Sequence, residues 1–266
     1  MRTVSTNTGN HPRLLQGVVI SDLHLFAHRS VGGDCFASVR DRLAGADVLV
    51  LNGDIFDFRW STLPDVETTV AAALAWLRAL SAEFPHAEVH YVLGNHDCPA
   101  FFHAGLDHLA GTFSGFHWHR HGVRIGSALF VHGDCTHRKM DRAGLQHYRK
   151  CWDNRRQHGA WRAHAYRAVD RLGVTWLTHK AWFPRRHTVR RLSHYLDRSY
   201  PTWRETARDC YFGHTHLPFS DYRCENVTFH NTGSGIRGMG FNPKLFTVSA
   251  RRGESQDVDE SPVSAT

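Results

Sequence analysis

Val48-Leu49-Val50-Leu51-Asn52-Gly53-Asp54 is a short apolar run, half of it valine, that stops at a glycine and an acid. Four apolar residues are too few for a helix and read as a buried strand. Gly53 lets the backbone turn tightly, so Asp54 stands at the strand's carboxyl end. The same design recurs four times. Gly17-Val18-Val19-Ile20 precedes Asp22-Leu23-His24, and Val89-His90-Tyr91-Val92-Leu93 precedes Gly94-Asn95-His96-Asp97. Ala128-Leu129-Phe130-Val131 precedes His132-Gly133-Asp134, and the shorter Cys210-Tyr211-Phe212 precedes Gly213-His214-Thr215-His216. Ligands of open α/β sheets bind beyond the carboxyl ends of strands, so five loops distant in sequence are expected to meet in one crevice.

The residue types say what would meet there. Asp22, His24, Asp54, Asn95, His132, His214 and His216 offer carboxylate oxygen, amide oxygen and imidazole nitrogen. That set suits borderline divalent metals better than oxygen-only Mg²⁺ or Ca²⁺ cages or thiolate zinc sites. Seven side chains exceed the needs of one tetrahedral ion and suit two ions sharing a ligand, at the roughly 3.5–4 Å separation of two-metal hydrolases. Asp54 is the expected bridge. In a chain with 22 histidines any one of these pairs alone is ordinary loop chemistry, and it is the five in order that carry the reading. Asp57, Asp97 and Asp134 stand next to the ligands, either as acceptors for the second imidazole N–H or as helix-cap and turn acceptors.

The set Asp22-x-His24, Gly53-Asp54-x-x-Asp57, Gly94-Asn95-His96-Asp97, His132-Gly133-Asp134 and Gly213-His214-x-His216 resembles the calcineurin-like metallophosphoesterase superfamily over about residues 15–250. Pattern alone supports a mixed α/β fold. The resemblance implies a four-layer α/β/β/α sandwich and two divalent ions, Mn²⁺ first, with Fe or Zn as alternatives. One ion would be held by Asp22, His24, Asp54 and His216, and the other by Asp54, Asn95, His132 and His214, with a bridging water as nucleophile. His96 would lie over the leaving oxygen as the catalytic residue.

The formal net charge of +7 is unevenly spread. Residues 135–209 carry 18 Lys and Arg against 6 Asp and Glu, while the ligand-bearing remainder has 14 against 19. This basic insert between the fourth and fifth motifs is helical by pattern over 141–158 and 159–172, with Leu145, Tyr148 and Trp152 at helical spacing. It reads as a solvated face or as a cap gripping an anionic substrate, and its position directly after His132-Gly133-Asp134 favours the cap. Arg142 and Arg149 are the expected substrate-binding residues. Asp141-x-Ala143-Gly144-x-Gln146-x-Tyr148-Arg149 resembles the start of the cap in UDP-2,3-diacylglucosamine hydrolases, which implies a nucleotide-linked lipid or sugar substrate. The chain departs from those enzymes in carrying His96 where they typically have Arg. The rival enzyme readings are a nuclease or a cyclic-nucleotide phosphodiesterase, with the insert as a groove for nucleic acid. The non-enzymatic rival is a metal-binding scaffold.

The 266 residues, 41% hydrophobic, are enough for one substantial domain. Residues 66–84 read as an amphipathic helix packed on the sheet. Val227-Thr228-Phe229-His230 and Lys244-Leu245-Phe246-Thr247-Val248 read as late strands about Gly233-Ser234-Gly235, with a hairpin turn preferred there over amides aimed at the site. Residues 1–12 and 251–266 read as frayed tails. No apolar stretch is long enough for a membrane span or a signal core, and the six cysteines show no paired spacing, so a cytoplasmic enzyme is expected. Peripheral contact with an anionic inner leaflet is compatible with the basic aromatic surface.

Overall fold

The computed structural model describes residues 12–153, 157 and 174–258. Eleven strands among these form two sheets: β1 (Arg13–Ile20), β2 (Val48–Asn52), β3 (Glu88–Val92), β4 (Phe116–His119), β5 (Gly122–Ile125), β6 (Ala128–Val131), β7 (Asp209–Phe212), β8 (Phe219–Cys224), β9 (Val227–Asn231), β10 (Lys244–Ala250) and β11 (Ser255–Asp257). The first sheet runs β10-β1-β2-β3-β4 and the second β11-β5-β6-β7-β9-β8. Within them β1 to β4 are mutually parallel, as are β6, β7 and β9. All five motif loops therefore leave carboxyl ends of parallel strands, three from the first sheet and two from the second.

Strand periodicity builds the layers. Successive side chains point to opposite faces, so a strand buried on both sides feeds two cores at once. In β1 and β2, Val18, Ile20, Leu49 and Leu51 join a core with the helices Val66–Glu83 and Ala100–Thr112, while Val19, Val48 and Val50 face the second sheet. Between the sheets these meet Val123, Ile125, Phe130, Phe246 and Val248. The second sheet's outer face packs Leu129, Cys210 and Phe229 against the helices Arg142–Lys150, Arg185–Ser199 and Trp203–Thr206. The order is thus helices, sheet, sheet, helices, the expected four-layer sandwich.

The helix expected over 66–84 is Val66–Glu83, with Asp65 capping it by accepting from the Thr68 amide at 2.6 Å. In the insert a helix forms over Arg142–Lys150, capped by Asp141, and another over Val174–Trp182. The helix expected over 159–172 lies outside the described residues, as do 1–11 and 259–266 of the expected tails.

Two expectations need correction. Residues 255–257 are not frayed: Ser255–Asp257 pairs antiparallel with Gly122–Ile125. The Gly233-Ser234-Gly235 stretch is not a hairpin, because β9 and β10 belong to different sheets. It crosses between them over the motif loops, where the Gly235 amide and the Ser234 hydroxyl both donate to the Asp22 carbonyl. No helix among the described residues is long and apolar enough to cross a membrane.

Candidate metal centre

Five of the seven expected ligands sit in left-handed backbone: Asp22 (φ 52°), His24 (47°), Asp54 (52°), His214 (62°) and His216 (57°). That region is sparsely used by residues other than glycine, Asp, Asn and His being the best tolerated, and such strain concentrates at functional sites. Each loop reverses sharply off its strand and turns a short polar side chain inward. Close approach needs glycine beside them. A Cβ on Gly213 would lie 2.0 Å from Asp22 Oδ2, and one on Gly53, itself at φ +84°, 2.5 Å from His132 Nδ1.

The side chains form two groups. His216 Nε2 lies 3.2 Å from both His24 Nε2 and Asp22 Oδ1, and His24 Nε2 is 3.9 Å from that same oxygen. His132 Nε2 lies 3.2 Å from Asp54 Oδ2 and joins His214 in the second group. Asp54 Oδ2 is also 4.0 Å from His24 Nε2, so one oxygen faces both groups. The other, Oδ1, accepts from the His96 amide at 2.7 Å. Asp54 thus stands between the groups through a single oxygen.

Asn95 Oδ1, His132 Nε2 and His214 Nε2 are buried without a hydrogen-bond partner. Polar atoms left without partners in a dry interior are costly, and the His132 and His214 ring nitrogens lie with an Asp54 oxygen within 4.8 Å of one another, a spacing expected of ligands each about 2.0–2.2 Å from a shared ion. The residues fit two divalent cations of the imidazole-and-carboxylate class. In the protein alone the charges adjust through protons. Burial opposes the charged form of His132, but Asp54 outweighs it and raises the imidazole to about 10. Burial drives His216 down to about 4, with Asp22 opposing, and His214 is held well below its usual value by burial and by His132. Burial would raise the Asp54 carboxyl, yet His132, His96 and His24 together hold it well below the carboxylate range.

Around the ligands the three neighbouring acids divide. Asp57 Oδ2 approaches both His96 Nδ1 (3.1 Å) and His24 Nδ1 (3.5 Å), while its Oδ1 accepts from the Arg59 and Trp60 amides, so it combines both expected roles. Asp97 contacts no imidazole nitrogen among the described residues; it accepts from the Ile55 and Gly94 amides and the Tyr91 hydroxyl, bracing two of the motif loops. Asp134 is paired with Arg149.

His96 lines the cavity above the groups, and burial is outweighed there by Asp57 and then Asp54, raising its imidazole to about 9.

Arg142 and Arg149 lie elsewhere, which corrects their expected role. Arg149 is 7% exposed; its Nε donates to Asp134 Oδ2 at 2.6 Å and its NH2 group to the Leu93 carbonyl at 2.8 Å. Arg142 donates to the carbonyls of Ser199 and Val258. Neither lines the cavity. Helix Arg142–Lys150 buries Leu145 and Arg149 on the second sheet and turns Tyr148 toward the site, so these guanidiniums serve the fold. Arg149→Ala, which leaves Asp134 buried and uncompensated, is expected to lower unfolding stability by roughly 3–5 kcal/mol in denaturant titration, with KM unchanged in the folded fraction.

Several contributors carry no motif. Asn52 Nδ2 donates to the carbonyls of Val131 (3.0 Å) and Tyr211 (3.1 Å), tying the end of β2 to β6 and β7, while its own carbonyl faces His132 Nδ1 at 3.1 Å. That contact orients His132 with Nε2 inward. From helix Val174–Trp182, His179 stacks on His216 at 5.0 Å and its Nδ1 lies 3.0 Å from the Thr215 carbonyl. Trp152 packs on His96 at 4.4 Å under the Arg59 guanidinium. Together with Tyr148, Trp182 and Phe183 it encloses a cavity of about 470 Å³ over the ligands.

A family model described as calcineurin-like phosphoesterase matches residues 18–218. No curated protein matches the chain. Among solved structures, a conserved uncharacterized protein of Streptococcus pneumoniae TIGR4, titled a predicted phosphoesterase, is 17% identical over 92% of this chain and 97% of its own (TM-score 0.37). Yfce, a phosphoesterase from E. coli, is 14% identical over 87% of each chain (TM-score 0.39). The phosphopantetheinyl hydrolase of Mycobacterium tuberculosis is 14% identical over 83% of this chain and 90% of its own (TM-score 0.40).

Proposed function

The chain belongs to the calcineurin-like phosphoesterase family, and from that premise we propose that it is a dinuclear metal-dependent hydrolase of a pyrophosphate or phosphodiester in a nucleotide-linked lipid or sugar. The observation that carries the substrate reading is the cavity: ligand side chains on its floor, and walls of Tyr148, Trp152, Trp182 and Phe183 supplied by the basic insert. A bare phosphate needs no such walls. They suit a phosphoester bearing a large apolar or planar group, which aromatic side chains cover at little entropic cost.

When bound, two divalent ions, Mn²⁺ being the first choice, would supply Lewis-acid charge and a water acidic enough to attack at neutral pH. Asp22, His24, Asp54 and His216 would hold one, and Asp54, Asn95, His132 and His214 the other. The remaining work belongs to the chain. His96, with Nδ1 against Asp57, lines the cavity, where it can deliver a proton to the departing oxygen. Arg29 lines the cavity and offers an anionic substrate a guanidinium. Trp176, Leu177 and Trp182 are exposed on the helix that roofs the site, beside Lys180, which supports peripheral contact with an anionic lipid surface where a lipid-linked substrate would reside.

Purified, Mn²⁺-loaded protein offered nucleotide-linked lipids and sugars, cyclic nucleotides and DNA tests the reading. Hydrolysis of a nucleotide-linked pyrophosphate or diester, faster than of the others, is the expected result. Turnover confined to cyclic nucleotides or DNA would transfer the assignment to those substrates. Two bound ions with no turnover of any would leave a scaffold.

A further inference from the structure

Two buried hydroxyls outside the five motifs govern how Asp22 faces the metal centre. Ser21 stands one residue beyond β1 and Thr232 one residue beyond β9, so they come from different sheets, and both are fully buried. Ser21 Oγ hydrogen-bonds Asp22 Oδ2, and Thr232 Oγ1 hydrogen-bonds Ser21 Oγ.

The count of protons fixes the direction of both bonds. A carboxylate that ligates a metal carries no proton and can only accept. Ser21 therefore donates its single proton to Oδ2, which leaves its oxygen to accept from Thr232. Thr232 also has one hydroxyl proton, and Ser21 takes it. The Phe212 carbonyl, 3.5 Å from Thr232 Oγ1, is answered at 3.1 Å by the Thr232 amide instead. The chain runs one way, from Thr232 through Ser21 to Asp22.

The rest of Asp22 is held as firmly. Its amide donates to the Gly53 carbonyl, and its own carbonyl accepts from the Gly235 amide and the Ser234 hydroxyl. The His214 amide lies 3.0 Å from both carboxylate oxygens. Oδ2 is packed on Gly213, where a Cβ would come within 2.0 Å of it. Oδ1 is the oxygen that faces the ligand imidazoles, 3.2 Å from His216 Nε2 and 3.9 Å from His24 Nε2.

A carboxylate with both oxygens free can chelate a cation through the pair and so fill two coordination positions. We propose that Ser21 and Thr232 are positioning residues that confine Asp22 to one ligating oxygen, which keeps a position on its ion open for water or a substrate oxygen. An open position is what separates a catalytic metal site from a structural one. The proposal rests on the two-ion reading of the centre and is independent of which phosphoester is cleaved.

The test uses the whole protein equilibrated with Co²⁺ and freed of excess by gel filtration, read by metal content, by visible absorption and by kcat on an aryl phosphodiester. The visible bands of Co²⁺ weaken as a ligand is added to a four- or five-coordinate shell, so they report a second Asp22 oxygen on the ion. Ser21→Ala should keep the metal content of the unaltered chain, show weakened bands, and lose about 10- to 100-fold in kcat, the usual scale for groups that stand behind a metal ligand. Thr232→Val, close to isosteric, should shift the bands in the same direction, and Thr232→Ser, which keeps the hydroxyl, should show the unaltered spectrum. Bands unchanged or strengthened in Ser21→Ala overturn the proposal, and so does loss of an ion, which would mean that Asp22 had been released from the metal. Should Ser21→Ala not fold, Thr232→Val is compared with Thr232→Ser, and identical spectra reject the hydroxyl chain. An unaltered chain that takes up fewer than two equivalents of Co²⁺ would bring down the two-ion centre and this proposal with it, whereas failure to turn over nucleotide-linked substrates would touch the substrate reading alone.

Discussion

Asp54→Asn should abolish metal binding at both positions and reduce turnover by about 10³-fold or more, the equivalent of several kcal/mol of transition-state charge stabilisation. The two Asp54 oxygens have separate duties: Oδ1 accepts from the His96 amide, and Oδ2 faces both His132 and His24. An asparagine has one acceptor and one donor. If its oxygen answers the His96 amide, an NH₂ group is turned on both cations; if it faces the cations, the NH₂ opposes a backbone N–H. Both placements fail, although the volume is unchanged. Metal analysis of the purified variant checks this, and one full equivalent retained with near-normal turnover would exclude Asp54 as the shared ligand.

His96→Ala is the other large effect expected, a loss on the order of 10²–10⁴ in kcat with metal content intact. His96 lines the cavity and is oriented from behind by Asp57, so its removal costs a proton donor while all seven expected ligand side chains are kept. The loss should depend on the leaving group. A poor alkoxide or sugar-phosphate leaving group needs the proton, whereas an activated aryl oxide departs without it. Comparing natural and aryl substrates therefore separates assistance to departure from positioning, and an equal loss on both would assign His96 to positioning alone.

The five motifs were legible because each follows a strand, and strand ends are where a sheet can bring distant residues together. The αL backbone at Asp22, His24, Asp54, His214 and His216 agrees with that reading, since Asp and His are among the few residues that accept it. The cap arginines were misread for a physical reason. A charged residue at helical spacing looks the same in sequence whether it faces solvent or a buried carboxylate, and Asp134, fifteen residues from Arg149, gave no local sign of pairing. Leu145 and Tyr148 were grouped as one face, yet the first packs on the second sheet and the second lines the cavity. The crossing at Gly233-Ser234-Gly235 depends on which sheet each late strand joins, and β11, three polar residues long, owes its pairing to β5 alone. Asn52 could have been noticed as a polar residue ending an apolar run, but its two acceptors lie 79 and 159 residues away.

The two expected ligand groups both draw on both sheets: Asp22 and His24 of the first with His216 of the second, and Asp54 of the first with His132 and His214 of the second. Divalent ions seated there would act as rivets through the sandwich, with Asn52 as the peg that aligns the holes before they are filled. Their spacing is then a property of the whole laminate. A substitution among Val50, Phe130 or Val248, deep between the sheets and remote from any substrate, would alter the gap the rivets must bridge, so that the packing of the apolar interlayer becomes a tuning variable of the chemistry.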